Sequence, residues 1–315
     1  MGNTNQTFRN RIINGAMMID QRNAGAALTM GTSAAGTYGL DRWAGYTGTG
    51  SLWQMQRVST GNLDFPYAMR MQRIAAQTST SAIYYSQIIE TVNTYGLAGQ
   101  SITLSFYVTA GANYSGGSGF GFQIVNGTAA DQGTSSLNTG SWTGAAYPGT
   151  TLTPTTTRTL VTYTTTLGAS VQELAVRFYW AGSGTAGAND YVDITGVQLE
   201  AGTTATPFEM RSYGTELALC QRYYEVLGDN VLALYAESNA TSGTFAIPLS
   251  ATFAAQKRAA PTMSTTGSFT TLNTTGSLAF NSSVSGFSAY YLSAAAGRAF
   301  WYNASGGKVI ASIEL

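Results

Sequence analysis

The sequence predicts an all-β chain, a jelly-roll β-sandwich followed by a short helix and a small C-terminal β domain. Three observations carry the prediction. Runs that alternate apolar and polar residues recur at intervals of roughly fifteen residues, the cadence of antiparallel strands. Clusters of Gly, Asn, Ser and Thr separate these runs. Helical three- and four-residue spacing is sustained only around residues 215–224.

Taken in order, the apolar segment 12–19 reads as a first strand, ahead of the turn-rich Gln21-Arg22-Asn23-Ala24-Gly25. Strands are then expected over 52–58, 67–74, 82–90, 102–110, 120–125, 160–166, 173–180 and 191–199. In the fourth of these, Ile102, Leu104, Phe106 and Val108 face one way and Thr103, Ser105 and Tyr107 the other, so one face is core and the other wet or paired. Two Gly- and Thr-rich stretches, 126–159 and 181–189, are expected to be loops at the ends of the sandwich, where binding surfaces are commonly carried.

Pro207 closes this domain, placed at 1–205. A linker and helix occupy 206–229, with Thr215 as the expected N-cap ahead of Glu216. Leu217, Cys220 and Tyr224 would form one apolar stripe over about three turns. A small β domain takes 230–315, with strands expected over 231–237, 244–253, 268–272, 288–293, 299–303 and 308–315.

Composition limits the function. With 315 residues, two domains are expected. Fifteen basic and fifteen acidic residues cancel, so no basic field exists to hold nucleic acid or an anionic membrane. No run approaches the ~18 apolar residues of a membrane span, and the first residues do not read as a secretory signal; assembly in a cytoplasm without membrane insertion is expected. The lone cysteine, Cys220, excludes an internal disulfide. Few charges and nineteen Tyr suit large permanent interfaces.

The chain contains no histidine, which excludes Ser-His and Cys-His catalysis and the common zinc sites. Cys220 lies on the expected apolar stripe and reads as a packing residue. Cleavage of a glycosidic bond needs only two carboxylates, but the acids here form no recognisable signature and no repeat of 20–50 residues is present. No enzyme activity and no cofactor are expected.

Trp43, after Asp41-Arg42, reads as a core anchor beside an ion pair. Tyr114, Trp142 and Tyr147 lie in Gly- and Thr-rich stretches, where aromatics could stack on a sugar ring, contact another subunit or pack the loop. The sequence leaves those three roles open.

Several separated elements recur in order: Asn14-Gly15, Gln21-Arg22, Leu40-Asp41-Arg42-Trp43, Gln198-Leu199-Glu200, Phe208-Glu209 with Arg211, and Glu216-Leu217 followed by Cys220-Gln221-Arg222-Tyr223-Tyr224. Together they resemble a family of bacteriophage virion proteins, the tail fibres, receptor-binding proteins and minor structural proteins, over residues 8 to 225. Segment 96–111, with its Leu97-Ala98-Gly99 turn, is similar to carbohydrate-binding jelly-roll modules.

The resemblance implies a non-enzymatic virion protein, a short tail fibre, spike or fibre tip that attaches to host-surface glycan. The alternative is a capsid decoration protein bound to capsid subunits, with a glycan-cleaving spike behind both. It also implies a homotrimer with other virion proteins as partners. Few residues precede the first block and no coiled-coil shaft is evident, which favours a short appendage. Carbohydrate-binding jelly rolls often hold calcium near the last strand, and Asp190, Asp193, Glu200 and Asp20 are oxygen donors of the right kind. Without a dense Asp-x-Asp-x-Asp loop, no metal is expected.

Overall fold

A computed structural model describes residues 8–48, 53–227, 233–238, 246–294, 297–303 and 307–315. It divides into two units, Met1–Glu216 with Leu315, and Leu217–Glu314.

The first unit contains β1 (Leu28–Thr29), β2 (Thr37–Tyr38), β3 (Ala44–Thr47), β4 (Trp53–Ser59), β5 (Tyr67–Arg73), β6 (Ala82–Ile89), β7 (Ser101–Ala110), β8 (Phe120–Gly127), β9 (Gly149–Leu152), β10 (Thr159–Thr166), β11 (Glu173–Ala181) and β12 (Tyr191–Ala201). A short helix, α1 (Thr134–Asn138), lies between β8 and β9. Two six-stranded sheets form, ordered β1-β4-β5-β12-β7-β10 and β2-β3-β6-β11-β8-β9, and every pairing is antiparallel. This is the expected all-β jelly-roll sandwich.

Period-two alternation decides what lies between the sheets. Ile102, Leu104, Phe106 and Val108 of β7 join Phe120, Phe122 and Ile124 of β8 and Val176, Phe178 and Trp180 of β11 in one buried cluster. The Phe106 ring lies 4.9 Å from Phe178 and 5.1 Å from Phe122, and Trp53 meets Trp180 edge-on at 4.6 Å. Each such side chain contributes about 2–3 kcal/mol on burial. All eight expected runs from 53 to 199 are strands, with ends displaced by one or two residues; the start at residue 52 lies outside the described residues.

Segment 12–19 is not a strand. Asn14 and Met17 both take φ of +58°, which no ladder tolerates, and the Asn14 side chain replaces the ladder. Its Oδ1 accepts the Ile19 N–H at 2.9 Å, while Nδ2 donates to the carbonyls of Ile19 and Asp41 at 2.8 and 3.0 Å. The stretch 126–159, expected as loop, holds α1 and β9. Both are too short to show a period.

The second helix, α2 (Tyr213–Gln221), begins ahead of the expected cap. Ser212 caps it instead of Thr215: its Oγ accepts the Thr215 N–H at 3.4 Å and its carbonyl accepts the Glu216 N–H at 3.0 Å. Tyr224 does not extend the apolar stripe. The Tyr223 N–H turns back to the Cys220 carbonyl at 2.9 Å, and Tyr224–Leu227 pairs with Lys308–Ser312 as strand.

In the second unit, Lys308–Ser312 lies between Tyr224–Leu227 and Thr262–Thr266; Gly297–Asn303 between Ala233–Ser238 and Phe269–Leu272; and Gly286–Ser293 between Ala246–Thr252 and Thr274–Ser282. Thr262–Thr266 and Thr274–Ser282 are strands that the sequence reading left out. The expected starts at 231 and 244 lie outside the described residues. Phe253, Phe287, Trp301 and Val309 make the core, with Phe269 stacked on Trp301 at 4.8 Å. Lys257 is buried here and donates to the Glu225 carboxylate at 2.5 Å.

Candidate functional site

The outer faces of the sandwich carry what the core does not use. On the sheet β2-β3-β6-β11-β8-β9, strand register sets side chains in rows across the strands. One row runs Ile88, Ala175, Val125 and is buried under Leu137 of α1, Trp142 and Leu315. The next runs Ala44, Ser86, Arg177, Gln123. A further row runs Tyr46, Tyr84, Tyr179, Gly121. Beyond the covered part of the sheet an open groove of about 430 Å³ is lined by Tyr46, Tyr84, Arg177, Asn138, Thr139 and Tyr147, with Tyr179 next along the tyrosine row.

The tyrosine row is a stacked ladder. Tyr46 and Tyr84 lie 6.2 Å apart and Tyr84 and Tyr179 5.8 Å apart, each pair tilted by 28°. Gly121 makes room at its end: a Cβ there would sit 2.2 Å from Cζ of Tyr179. Small Ala44 and Ser86 leave the neighbouring row low around Arg177. The Arg177 guanidinium lies 5.1 Å from the ring centres of both Tyr84 and Tyr147. Its Nε and Nη2 donate to Gln123 Oε1 at 3.1 and 2.8 Å. Burial pulls the Arg177 guanidinium below its ordinary pKa, against an opposing pull from the tyrosine oxygens around it.

Of the three loop aromatics singled out in the sequence, Tyr147 alone reaches this groove, and it is 36% exposed. Trp142 is buried at 4% exposure, with Nε1 donating to the Gly133 carbonyl at 3.2 Å. It covers the sheet and offers no face to a ligand. Tyr114 packs its ring 4.8 Å from Trp180, and burial raises its hydroxyl pKa, with the Asp190 charge adding to the effect. The groove tyrosines themselves were passed over. Their signal was phase: Tyr84 sits between inward Ile83 and Tyr85, and Tyr179 between inward Phe178 and Trp180, so both must face outward.

The opposite sheet has a cleft of about 350 Å³ lined by Arg70, Tyr107, Arg158, Tyr191, Asp193 and several hydroxyl residues. Its arginines lie over its aromatic rings and are themselves paired. Arg70 lies 3.5 Å from the Tyr191 ring centre and Arg158 4.9 Å from that of Tyr107. Each guanidinium is in turn held by a carboxylate, Arg70 by Asp193 at 2.8 Å and Arg158 by Asp64 at 2.7 Å. The cleft satisfies itself.

The recurring sequence blocks up to Glu216 are joined within the first unit by a network of hydrogen bonds and ion pairs. Trp43 Nε1 donates to the Asn14 carbonyl at 3.3 Å, Gln21 donates to Asp41 at 2.7 Å, and Arg22 pairs with Asp41 at 3.7 Å. Arg42 Nη2 reaches the Ile88 carbonyl at 2.7 Å. A Cβ on Gly15 would lie 2.1 Å from the Val197 carbonyl oxygen. Glu209 accepts the main-chain N–H groups of Phe8 and Asn10 at 3.0 and 2.8 Å, Phe208 packs against Phe65 at 5.1 Å, and Arg211 bridges the Ile12 carbonyl at 3.0 Å and Glu216 at 3.3 Å. Glu200 is closed by Thr206 and Gln198. In the second unit Cys220, Tyr223 and Tyr224 are buried, and the Arg222 carbonyl accepts the Arg258 N–H at 3.3 Å. These blocks tie residues 8–46 to 197–216 and serve as scaffold.

The acids considered as calcium donors are each engaged separately: Asp190 by Arg73 and Ser115, Asp193 by Arg70, Asp20 by the N–H groups of Asn23 and Gly25. Among the described residues no three acids or thiols converge as metal ligands would.

No family model matches the chain, and no curated protein matches it. Solved structures do. The enzymatically active domain of tailspike protein 4 of bacteriophage CBA120 is 12% identical over 62% of this chain and 22% of that one, with a TM-score of 0.39, so the chain spans about a fifth of its length. The C-terminal family 22 carbohydrate-binding module of Clostridium thermocellum Xyn10B is 12% identical over 59% of this chain and 100% of that one, with a TM-score of 0.33. A family 16 carbohydrate-binding module is 10% identical over 46% and 84%, with a TM-score of 0.30. At such values the functional reading rests on the chain's own surface.

Proposed function

We propose that the protein is a non-enzymatic glycan-binding component of a bacteriophage particle, a short tail fibre or spike that holds host-surface saccharide in the groove above β3, β6 and β11. The observation that carries glycan binding is the row of Tyr46, Tyr84 and Tyr179, of which Tyr46 and Tyr84 line an open groove beside Arg177. Stacked phenol faces at a solvent-open groove match the apolar faces of pyranose rings, and a guanidinium among them supplies donors for ring substituents. The virion setting is supported by the ordered blocks from Asn14 to Tyr224, whose resemblance is to phage virion proteins.

A glycan array probed with the labelled full chain tests the binding. Selective retention of oligosaccharides, lost in Tyr84→Ala and Tyr179→Ala variants of unchanged urea midpoint, is the expected outcome. An array without signal sinks the reading. Immunogold labelling of particles tests the setting, and label on the head instead of the tail would replace attachment with capsid decoration.

A further inference from the structure

Arg177 differs from six other arginines of the sandwich unit. Arg22, Arg57, Arg70, Arg73, Arg158 and Arg211 each form an ion pair with an Asp or Glu. Among the described residues Arg177 has no such partner. Its Nε and Nη2 share one neutral acceptor, Gln123 Oε1, and its Nη1 donates to no described group. The side chain is half-buried in the groove floor, and no Asp or Glu lines that groove. The site therefore holds one positive charge inside a chain whose formal net charge is zero.

A partly desolvated guanidinium without a counter-charge favours a ligand that brings one. Its planar fork suits a carboxylate, which accepts parallel N–H bonds, better than a lone hydroxyl. The rings of Tyr84 and Tyr147 lie beside it, each centre 5.1 Å from the guanidinium. We propose that the groove takes an acidic saccharide, a sugar ring bearing a carboxylate, with the ring over the tyrosine ladder and the carboxylate on Arg177. This rests on the glycan-binding reading and names its ligand class. The depressed pKa of Arg177 agrees with a cation that lacks compensation. Because overall charge is zero, the preference is local and corresponds to one ion pair.

The test uses the full chain on an array carrying uronate- and nonulosonate-containing oligosaccharides, the methyl esters of the same compounds, and neutral oligosaccharides. A charge-assisted bond predicts a preference of roughly tenfold or more for the free acid over its ester, weakening as salt rises. Arg177→Met should erase that preference and leave residual neutral binding, while Tyr84→Ala should lose both. Equal binding of acid and ester by the wild-type chain would overturn the proposal and leave glycan binding standing. So would a preference that survives in Arg177→Met. Absence of any bound glycan would overturn both.

Discussion

Tyr179 stacks on Tyr84 at 5.8 Å because residue 121, its register partner on β8, has no side chain. A glycine inside a strand costs stability, and here it clears the end of a ladder.

Gly121→Ala places a methyl 2.2 Å from Cζ of Tyr179, so the ring must swing out. The expected outcome is at least a tenfold loss of glycan affinity with a stability cost of about 1 kcal/mol, at the low end of overpacking. Urea unfolding and the glycan assay on the same preparation check it. A stable variant with full affinity would mean the ladder is not the platform.

Trp142 and Tyr147 should part company under substitution. Trp142→Ala removes the cover over Val125 and Ala175 and should cost about 3–5 kcal/mol. Tyr147→Ala removes a 36%-exposed ring and should cost under about 1 kcal/mol while weakening ligand binding. Thermal unfolding separates the two.

Arg73 and Asp190 form an ion pair at 2.9 Å with both side chains fully buried. Arg73 also donates to the carbonyls of Gln77, Ser79, Ser183 and Gly184, drawing two loops together. Asp190→Ala leaves a buried cation without its carboxylate, and a loss of about 3–5 kcal/mol is expected. Adding Arg73→Met to that variant should recover part of the loss. A double variant no more stable than the single would show that the carbonyl bonds dominate.

Two carboxylates lining or flanking the second cleft should titrate in opposite senses. The hydrogen bond from Arg158 holds Asp64 below its ordinary 3.8, whereas burial raises Asp193 above that value against the opposing pull of Arg70. Asp64 therefore adds stability above pH 3.8 that is lost as pH falls through its folded value. Asp193 does the reverse: its contribution is full below pH 3.8 and is lost as pH rises through its folded value. Carboxyl carbon NMR should show Asp64 ionising first and Asp193 later. The opposite order would mean that Arg70 outweighs burial.

The strands were legible because alternation needs no partner to be visible: the phase of Ile102, Leu104, Phe106 and Val108 already names the core face. Segment 12–19 misled for the same reason, since an apolar run says nothing about the positive φ that Asn14 adopts once Ile19 and Asp41 are within reach. Likewise Tyr224 kept helical spacing and still joined a sheet, because Lys308–Ser312 offers it a strand from more than eighty residues away.

By itself the sequence determined the fold class, the strand phases, the absence of histidine chemistry and the electrical neutrality of the chain. Each is a property of residues or of near neighbours along the backbone. Only tertiary structure decided which outward residues remain uncovered. It brought Tyr46, Tyr84 and Tyr179 into one row and laid α1, Trp142 and Leu315 over the next part of the sheet. It gave Arg22, Arg57, Arg70, Arg73, Arg158 and Arg211 each a carboxylate and left Arg177 facing a glutamine. Register and burial join residues far apart in sequence, and these contacts depend on chain closure that no local pattern encodes.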